Sequence, residues 1–338
     1  MILESGAVVG IAQMRVLLEQ AGRLDHRAVL RLVPGGVSSV VVAVHDPTGS
    51  WVAKTPLPRL AVADEWYADR ARGQREAAVL ELLDGRVGPL RTPRLRFSDA
   101  GRAVIGMELI APPAAPWKDR LLAGEVDPGV AGLIGGALGA LHHMGPAAVP
   151  AGLGGPADAG HYEAVRVDPY YRTAARRAPQ LAAGLGRLIA DTTGPDLDRC
   201  LVHADLNPKN VLVAPDGPVV IDWELAHVGD PAFDVAMPMA HLVLKSLRRA
   251  AGRRARDGLL AAAGALWDSY RGPARPDLVA RHLGGIVAAR LWGKSPVGYL
   301  RAPAERRAAA AVAAAALEGR DGVTAVLARA RAAGQPSG

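Results

Sequence analysis

Between positions 201 and 236 the chain reads LVHADLNPKNVLVAPDGPVVIDWELAHVGDPAFDVA, where short apolar runs alternate with loops crowded with carboxylates and amides. CLVHA at 200–204 and VLVAPDGPVVIDW at 211–223 read as strands, the latter folded back on itself at a PDG turn. This places His203, Asp205 and Asn210 on one loop between strands and Asp222 at the end of the next strand. Such clustering calls for a chemical reason. Phosphoryl transfer needs a carboxylate to take or orient the nucleophile's proton, oxygen ligands for Mg²⁺, and positive charge along the phosphates. The segment supplies the first two, with Asp205 as the base and Asn210 and Asp222 as hard oxygen donors.

HADLNPKN followed by IDWE resembles the HxDxxxxN and IDxE signatures of aminoglycoside phosphotransferases, choline kinases and their relatives. The resemblance implies an α+β, bilobal protein-kinase-like fold, with a small β-rich N-lobe and a larger, mainly helical C-lobe. It also implies that Asp205 is the catalytic base, that Asn210 and Asp222 bind the metal, and that His203 braces the loop. By the same likeness Asp234, in GDPAFD, is the acid that holds the catalytic loop in place.

The same reading makes demands upstream. Lys54 closes WVAK on the second strand of an expected hairpin, from where an ammonium reaches the α- and β-phosphates. Glu76, on the helix expected from about 69 to 83, is its expected partner. PGGVSS supplies a phosphate-covering loop, with Gly35 and Gly36 allowing close backbone approach and Ser38 and Ser39 as donors. Met107, Glu108, Leu109 and Ile110, before the proline-rich IAPPAAP, form the expected hinge for the base of ATP or GTP. Gly293, Lys294 and Ser295 mimic the end of a P-loop, but Ala288 stands where that motif needs its first glycine. RLWGKSPVGYL at 290–300 instead resembles a late segment of bacterial members of this class, and packing and substrate contact are equally open roles for it.

These elements divide the chain into a nucleotide-binding lobe over 1–108, a catalytic and substrate-binding lobe over 109–330, and a disordered tail over 331–338. Alanine-rich helices are expected near 258–270, 278–292 and 304–330. The formal charge is +7, yet only 4% of residues are aromatic and no compact basic run is interleaved with them, which argues against nucleic acid. The single cysteine, Cys200, excludes an intrachain disulfide and suits a reducing compartment. The first residues show no secretory pattern, and the apolar stretch at 129–141 is too short and glycine-rich to span a bilayer. A cytoplasmic protein without a membrane partner is the expectation.

The expected partner is a small molecule bearing a hydroxyl. VAKTPLPRL, DEWYADRARGQREAAVL and MELIAPPAAPWKDRLLAGEVDP resemble stretches of methylthioribose kinases, although Trp223 stands where those kinases place a proline. Arginines bunched at 248, 249, 253, 254 and 256 oppose a polycationic substrate. The expected acceptor is therefore a neutral or anionic sugar, a nucleoside or a glycosylated natural product, the last implying antibiotic self-resistance. The alternatives are an aminoglycoside O-phosphotransferase, with Asp257, Asp268 and Glu318 as acids for the substrate, and a catalytically silent nucleotide-binding protein of the same fold.

Overall fold

A computed structural model describes residues 2–33, 38–57, 69–145, 148–150, 153, 160, 162–194, 197–319 and 322–334. Gly35 and Gly36 of the expected phosphate loop lie outside the described residues, as does the chain from 335 onward. The protein forms two compact units. Unit 1 takes 1–85, 92–111 and 222–225, and unit 2 takes 86–91, 112–221 and 226–338. Against the expected boundary at 108, unit 1 runs to Ala111, gives up a six-residue loop to unit 2, and gains Asp222–Leu225 from deep in the sequence.

Unit 1 is built on a sheet ordered β1-β2-β3-β7-β6, from β1 (Val29–Leu32), β2 (Ser39–Asp46), β3 (Gly49–Pro56), β6 (Leu95–Asp99) and β7 (Val104–Glu108). The β2–β3 hairpin turns where Asp46 accepts from the Thr48 N–H at 2.7 Å and from the Trp51 indole at 2.8 Å. Helix α1 (Ile2–Gln20) contributes Ile11, Met14 and Leu18, a helical stripe packed on Val42, Val44, Trp51 and Ala53. Because strand residues alternate between faces, Lys54 is turned away from the core that holds Trp51 and Ala53. Helix α2 (Arg72–Leu83) packs against β3 and β7 and buries Glu76, Val79, Leu80 and Leu83.

Unit 2 carries a sheet ordered β4-β5-β11-β10-β8, from β4 (Arg86–Val87), β5 (Leu90–Arg91), β8 (Ala115–Pro116), β10 (Val211–Ala214) and β11 (Gly217–Val220). A second ladder pairs β9 (Cys200–Val202) with β12 (His227–Gly229). The rest is mainly helical: α3 (Trp117–Ala123), α4 (Pro128–His142), a π-helical stretch (Glu163–Arg172) continuing into α5 (Thr173–Arg177), α6 (Ala182–Thr193), α7 (Pro231–Ser246), α8 (Arg253–Ser269), α9 (Pro276–Trp292), α10 (Pro303–Leu317) and α11 (Val323–Ala333). Proline at the first helical position starts α4, α7, α9 and α10, where its missing N–H costs no hydrogen bond. Asp127 and Asp230 cap α4 and α7 by accepting from Gly129 and Ala232.

Two helical expectations need correction. The alanine-rich run at 304–330 is two helices, interrupted at Gly319, whose φ of +76° ends α10. Residues 331–333, expected in a disordered tail, complete α11. Among the described residues no helix is long and apolar enough to cross a membrane.

The glycines of α4 are explained by its packing on α8: a Cβ at Gly135 would lie 2.1 Å from the carbonyl oxygen of Leu266. Gly135→Ala should therefore lower the unfolding free energy by about 1–3 kcal/mol in a denaturant titration. Gly264→Ala on α8, where a Cβ meets nothing within 4 Å, should instead raise it by about 0.5–1 kcal/mol.

Candidate active site

In unit 2 the loop after β9 is shaped by a single carboxylate. Asp234, in the first turn of α7 and fully buried, accepts from the backbone N–H of His203 at 2.5 Å and of Ala204 at 2.7 Å. Ala204 adopts φ of +62°, a left-handed conformation that alanine resists. Its own carbonyl accepts from Arg166 Nε at 2.7 Å, so both faces of the strained peptide are held. His203 donates through Nε2 to the Ile221 carbonyl at 3.1 Å and accepts through Nδ1 from the Asp205 N–H at 3.2 Å, which fixes its tautomer and braces the loop.

Asp205 follows, 8% exposed. Its Oδ1 takes the amide of Asn207 at 3.1 Å and an ion pair from Arg166 at 2.7 Å. Its Oδ2 takes the amide of Asn210 at 3.1 Å, with Lys209 Nζ at 3.7 Å. Asn210 spends its amide nitrogen on Asp205, leaving its oxygen as the group suited to a cation. On Asp234, burial by itself raises the pKa; the interaction with His142 and the backbone N–H of His203 outweigh it and hold the carboxyl below its ordinary 3.8. His142, at the end of α4, also bonds the Tyr270 hydroxyl at 3.0 Å.

In unit 1, Lys54 sits among three carboxylates: Glu76 at 2.6 Å, Glu224 at 3.2 Å, and Asp222 in a shorter ion pair. Burial opposes charge on Lys54, but Asp222, Glu224 and Glu76 together keep it ionised well above the ordinary lysine range. Glu76 is pushed up to about 7, first by burial and then by Asp222 and Glu224, with Lys54 opposing. Trp223 donates its N–H to Glu76 at 3.2 Å, and Ser39 donates its hydroxyl to Glu224 at 2.9 Å. Arg72 stands 3.4 Å from Glu224 and donates to the carbonyls of Ser38 and Leu57 at 2.5 and 2.6 Å.

Three carboxyl groups meet Lys54 and Arg72 among the described residues, and donor atoms of Glu76, Asp222 and Glu224 lie within 4.8 Å of one another. Clustered hard oxygen donors of this kind fit Mg²⁺. Asp222, the most exposed of the three side chains at 22%, is the one able to face it. Met107 and Glu108 belong to β7, with Leu109 and Ile110 just beyond it; the Glu108 N–H already donates to Arg94 at 2.9 Å.

The structure thus gathers Lys54, Glu76, Asp222 and Ser39 in unit 1, and His203, Asp205, Asn210 and Asp234 in unit 2. Sequence reasoning missed Glu224, although IDWE displays it, and Arg166, which carries no local signature.

The profile of APH, the phosphotransferase enzyme family, matches residues 29–273. Methylthioribose kinases 1 and 2 of Oryza sativa subsp. japonica are each 26% identical over 250 residues, covering 66% of this chain and 57% and 58% of theirs. The chain thus matches less than two thirds of these relatives' length. A microcompartment-associated aminopropanol kinase superposes with a TM-score of 0.55 at 19% identity, over 92% of this chain and 94% of that one. A choline/ethanolamine kinase family protein from Mesorhizobium loti gives 0.52 at 19% identity, over 98% and 100% of the respective chains. These solved structures share the fold: α+β and protein-kinase-like, with a β-rich N-terminal sheet and a mainly helical C-terminal part.

Asp234→Ala should lower the unfolding free energy by about 2–6 kcal/mol, counting about 1–3 kcal/mol for each of the two buried N–H groups left without an acceptor. Since folding depresses the Asp234 pKa, its stabilisation is present above pH 3.8 and is lost as pH falls through the folded value. Denaturant titrations from pH 7 down to pH 3 should show the gap between wild type and variant narrowing at the acid end.

Proposed function

Because this chain belongs to the phosphotransferase enzyme family, over residues 29–273 of its sequence, we propose that it transfers the γ-phosphate of ATP to a hydroxyl of a small molecule. GTP is the alternative donor. The observation that carries the reading is the state of Asp205: a carboxylate oriented by Arg166, Asn207 and Asn210, on a loop strained into place by Asp234. A loop without chemistry to perform has no use for that strain.

In this reading Asp205 accepts the proton of the acceptor hydroxyl as its oxygen bonds to the γ-phosphorus; the bond to the β,γ-bridging oxygen breaks and ADP departs. The Arg166 guanidinium pairs with Asp205 and limits its movement. Lys54, aimed by Glu76, takes the α- and β-phosphates. Ser38 and Ser39 stand at the start of β2, where the hydroxyl of Ser39 secures Glu224. The backbone of Met107, Glu108, Leu109 and Ile110 supports the base, with Leu109 and Ile110 contributing most because the Glu108 N–H is already used. Asp222 of unit 1 and Asn210 of unit 2 would each offer an oxygen to Mg²⁺, which when bound offsets charge on the phosphates.

Sugars, nucleosides and glycosylated natural products are the acceptor classes to test first, self-resistance to an antibiotic being the physiological role if the last proves right. Magnesium-dependent ADP formation stimulated by one member of such a panel is the expected result. Asp205→Asn should lower kcat by about 10²–10⁴-fold while leaving nucleotide affinity within about twofold. Unchanged turnover in that variant removes Asp205 from the role of base.

A further inference from the structure

The segment at 290–300, for which the sequence leaves packing and substrate contact equally open, folds beside α7 with a group of cations none of which makes a side-chain ion pair among the described residues. His241 and Lys245 lie one turn apart on α7, Arg248 follows just beyond its C-terminus, and Arg290 comes from α9, which packs against α7. Lys245 is 1% exposed and makes no hydrogen bond or ion pair among the described residues. What it meets is the ring of Tyr299, 5.1 Å away, which Arg248 also approaches at 5.9 Å. His241 Nε2, Arg290 Nε and the Tyr299 hydroxyl are all buried without a partner.

An uncompensated buried ammonium is costly, as are three orphaned polar atoms beside it. Burial, followed by the charges of Lys118, Arg290 and Arg248, brings Lys245 down to about 7, and Asp119 on α3 is the acid that opposes them. His241 is driven well below its ordinary range by burial and then by Lys245, Arg290, Lys209 and Lys118. Four donors on three elements, with cations around them and no carboxylate in contact among the described residues, form a cradle that suits an oxyanion.

The cradle is continuous with the catalytic loop. Arg290 and Arg166 lie over the ring of Tyr170, at 4.9 and 5.0 Å, and Arg166 pairs with Asp205 at 2.7 Å. Lys209 bridges similarly, with its ammonium 3.7 Å from Asp205 and its charge acting on His241. We infer that Lys245, Arg290, His241 and Tyr299 bind an anionic group, a phosphate or a carboxylate, carried by the alcohol that is phosphorylated. This rests on the phosphotransferase reading and narrows it to acidic acceptors, which excludes polycationic ones by charge.

The test uses the full chain and two measurements. Calorimetric titration with inorganic phosphate should show millimolar binding to the wild type, weakened at least tenfold in Lys245→Met and Arg290→Gln and retained in Lys54→Met. Lys245→Met replaces the buried ammonium with an apolar group of similar length and should leave the melting temperature unchanged or raised, so loss of binding is separable from loss of fold. With Mg-ATP, ribose 5-phosphate and glycerol 3-phosphate are compared with ribose and glycerol, and glycerate stands for a carboxylate. An acidic member should exceed its neutral counterpart at least tenfold in kcat/KM, and Lys245→Met should raise its KM more than it lowers kcat. Absence of phosphate binding, or binding lost in Lys54→Met and kept in Lys245→Met, overturns the inference. So does an anion that binds at Lys245 while only neutral acceptors are turned over, which makes the cradle an effector site. Failure of the broader reading looks different: no ADP forms with any acceptor, while phosphate binding still depends on Lys245.

Discussion

One buried carboxylate, Asp234, determines the shape of the loop on which the proposed chemistry depends. A carboxylate in a protein interior persists as an anion only when hydrogen bonds replace its hydration. Asp234 obtains two from consecutive backbone N–H groups, and to present both to one carboxyl the chain must turn left-handed at Ala204. That turn orients Asp205 toward Arg166, Asn207 and Asn210 and leaves His203 free to reach the Ile221 carbonyl. The capping of α7 by Asp230 is part of the same arrangement, since it fixes where Asp234 falls on the first helical turn. Asp230 is itself supported by Thr192 at 2.9 Å and His282 at 3.0 Å, so α6 and α9 both contribute to holding the start of α7.

Each unit gathers charged side chains among its described residues, and the prevailing signs differ. In unit 1 three carboxyl groups meet Lys54 and Arg72. In unit 2 Lys118, Arg290 and Arg248 act on Lys245, and Asp119 opposes them. Clustered like charges cost folding stability, and a ligand of the complementary sign recovers it on binding. The proposed metal donors and the inferred acceptor cradle would be two uses of that one effect.

Much of this could be read in the linear sequence because the residues involved are close together in it. From His203 to Asp234 the order of strand, loop, strand and helix brings the proposed base, the amide beside it and the bracing acid together through short connections. The alternation of β3 puts Lys54 on the face opposite Trp51, and helical spacing places Glu76 on the buried side of α2. Arg166 was hidden because a guanidinium can reach Asp205 from many backbone positions, and a π-helical stretch offers no period to recognise. Glu224 was visible, but only the position of Lys54 and Ser39 tells whether such an acid is buried in a network or solvated.

The amino-acid sequence by itself determined the loop between strands and the chemistry it suits, because these follow from spacing along a short segment, and the resemblance of that segment to a known family implied the class of fold. Tertiary structure alone decided which charges are balanced. Lys245, Arg290 and Tyr299 are far apart in the chain, and an isolated lysine in an apolar helix reads as a surface residue until packing removes its water. Burial and the presence or absence of a counter-ion are properties of three-dimensional neighbours, and no local pattern records them.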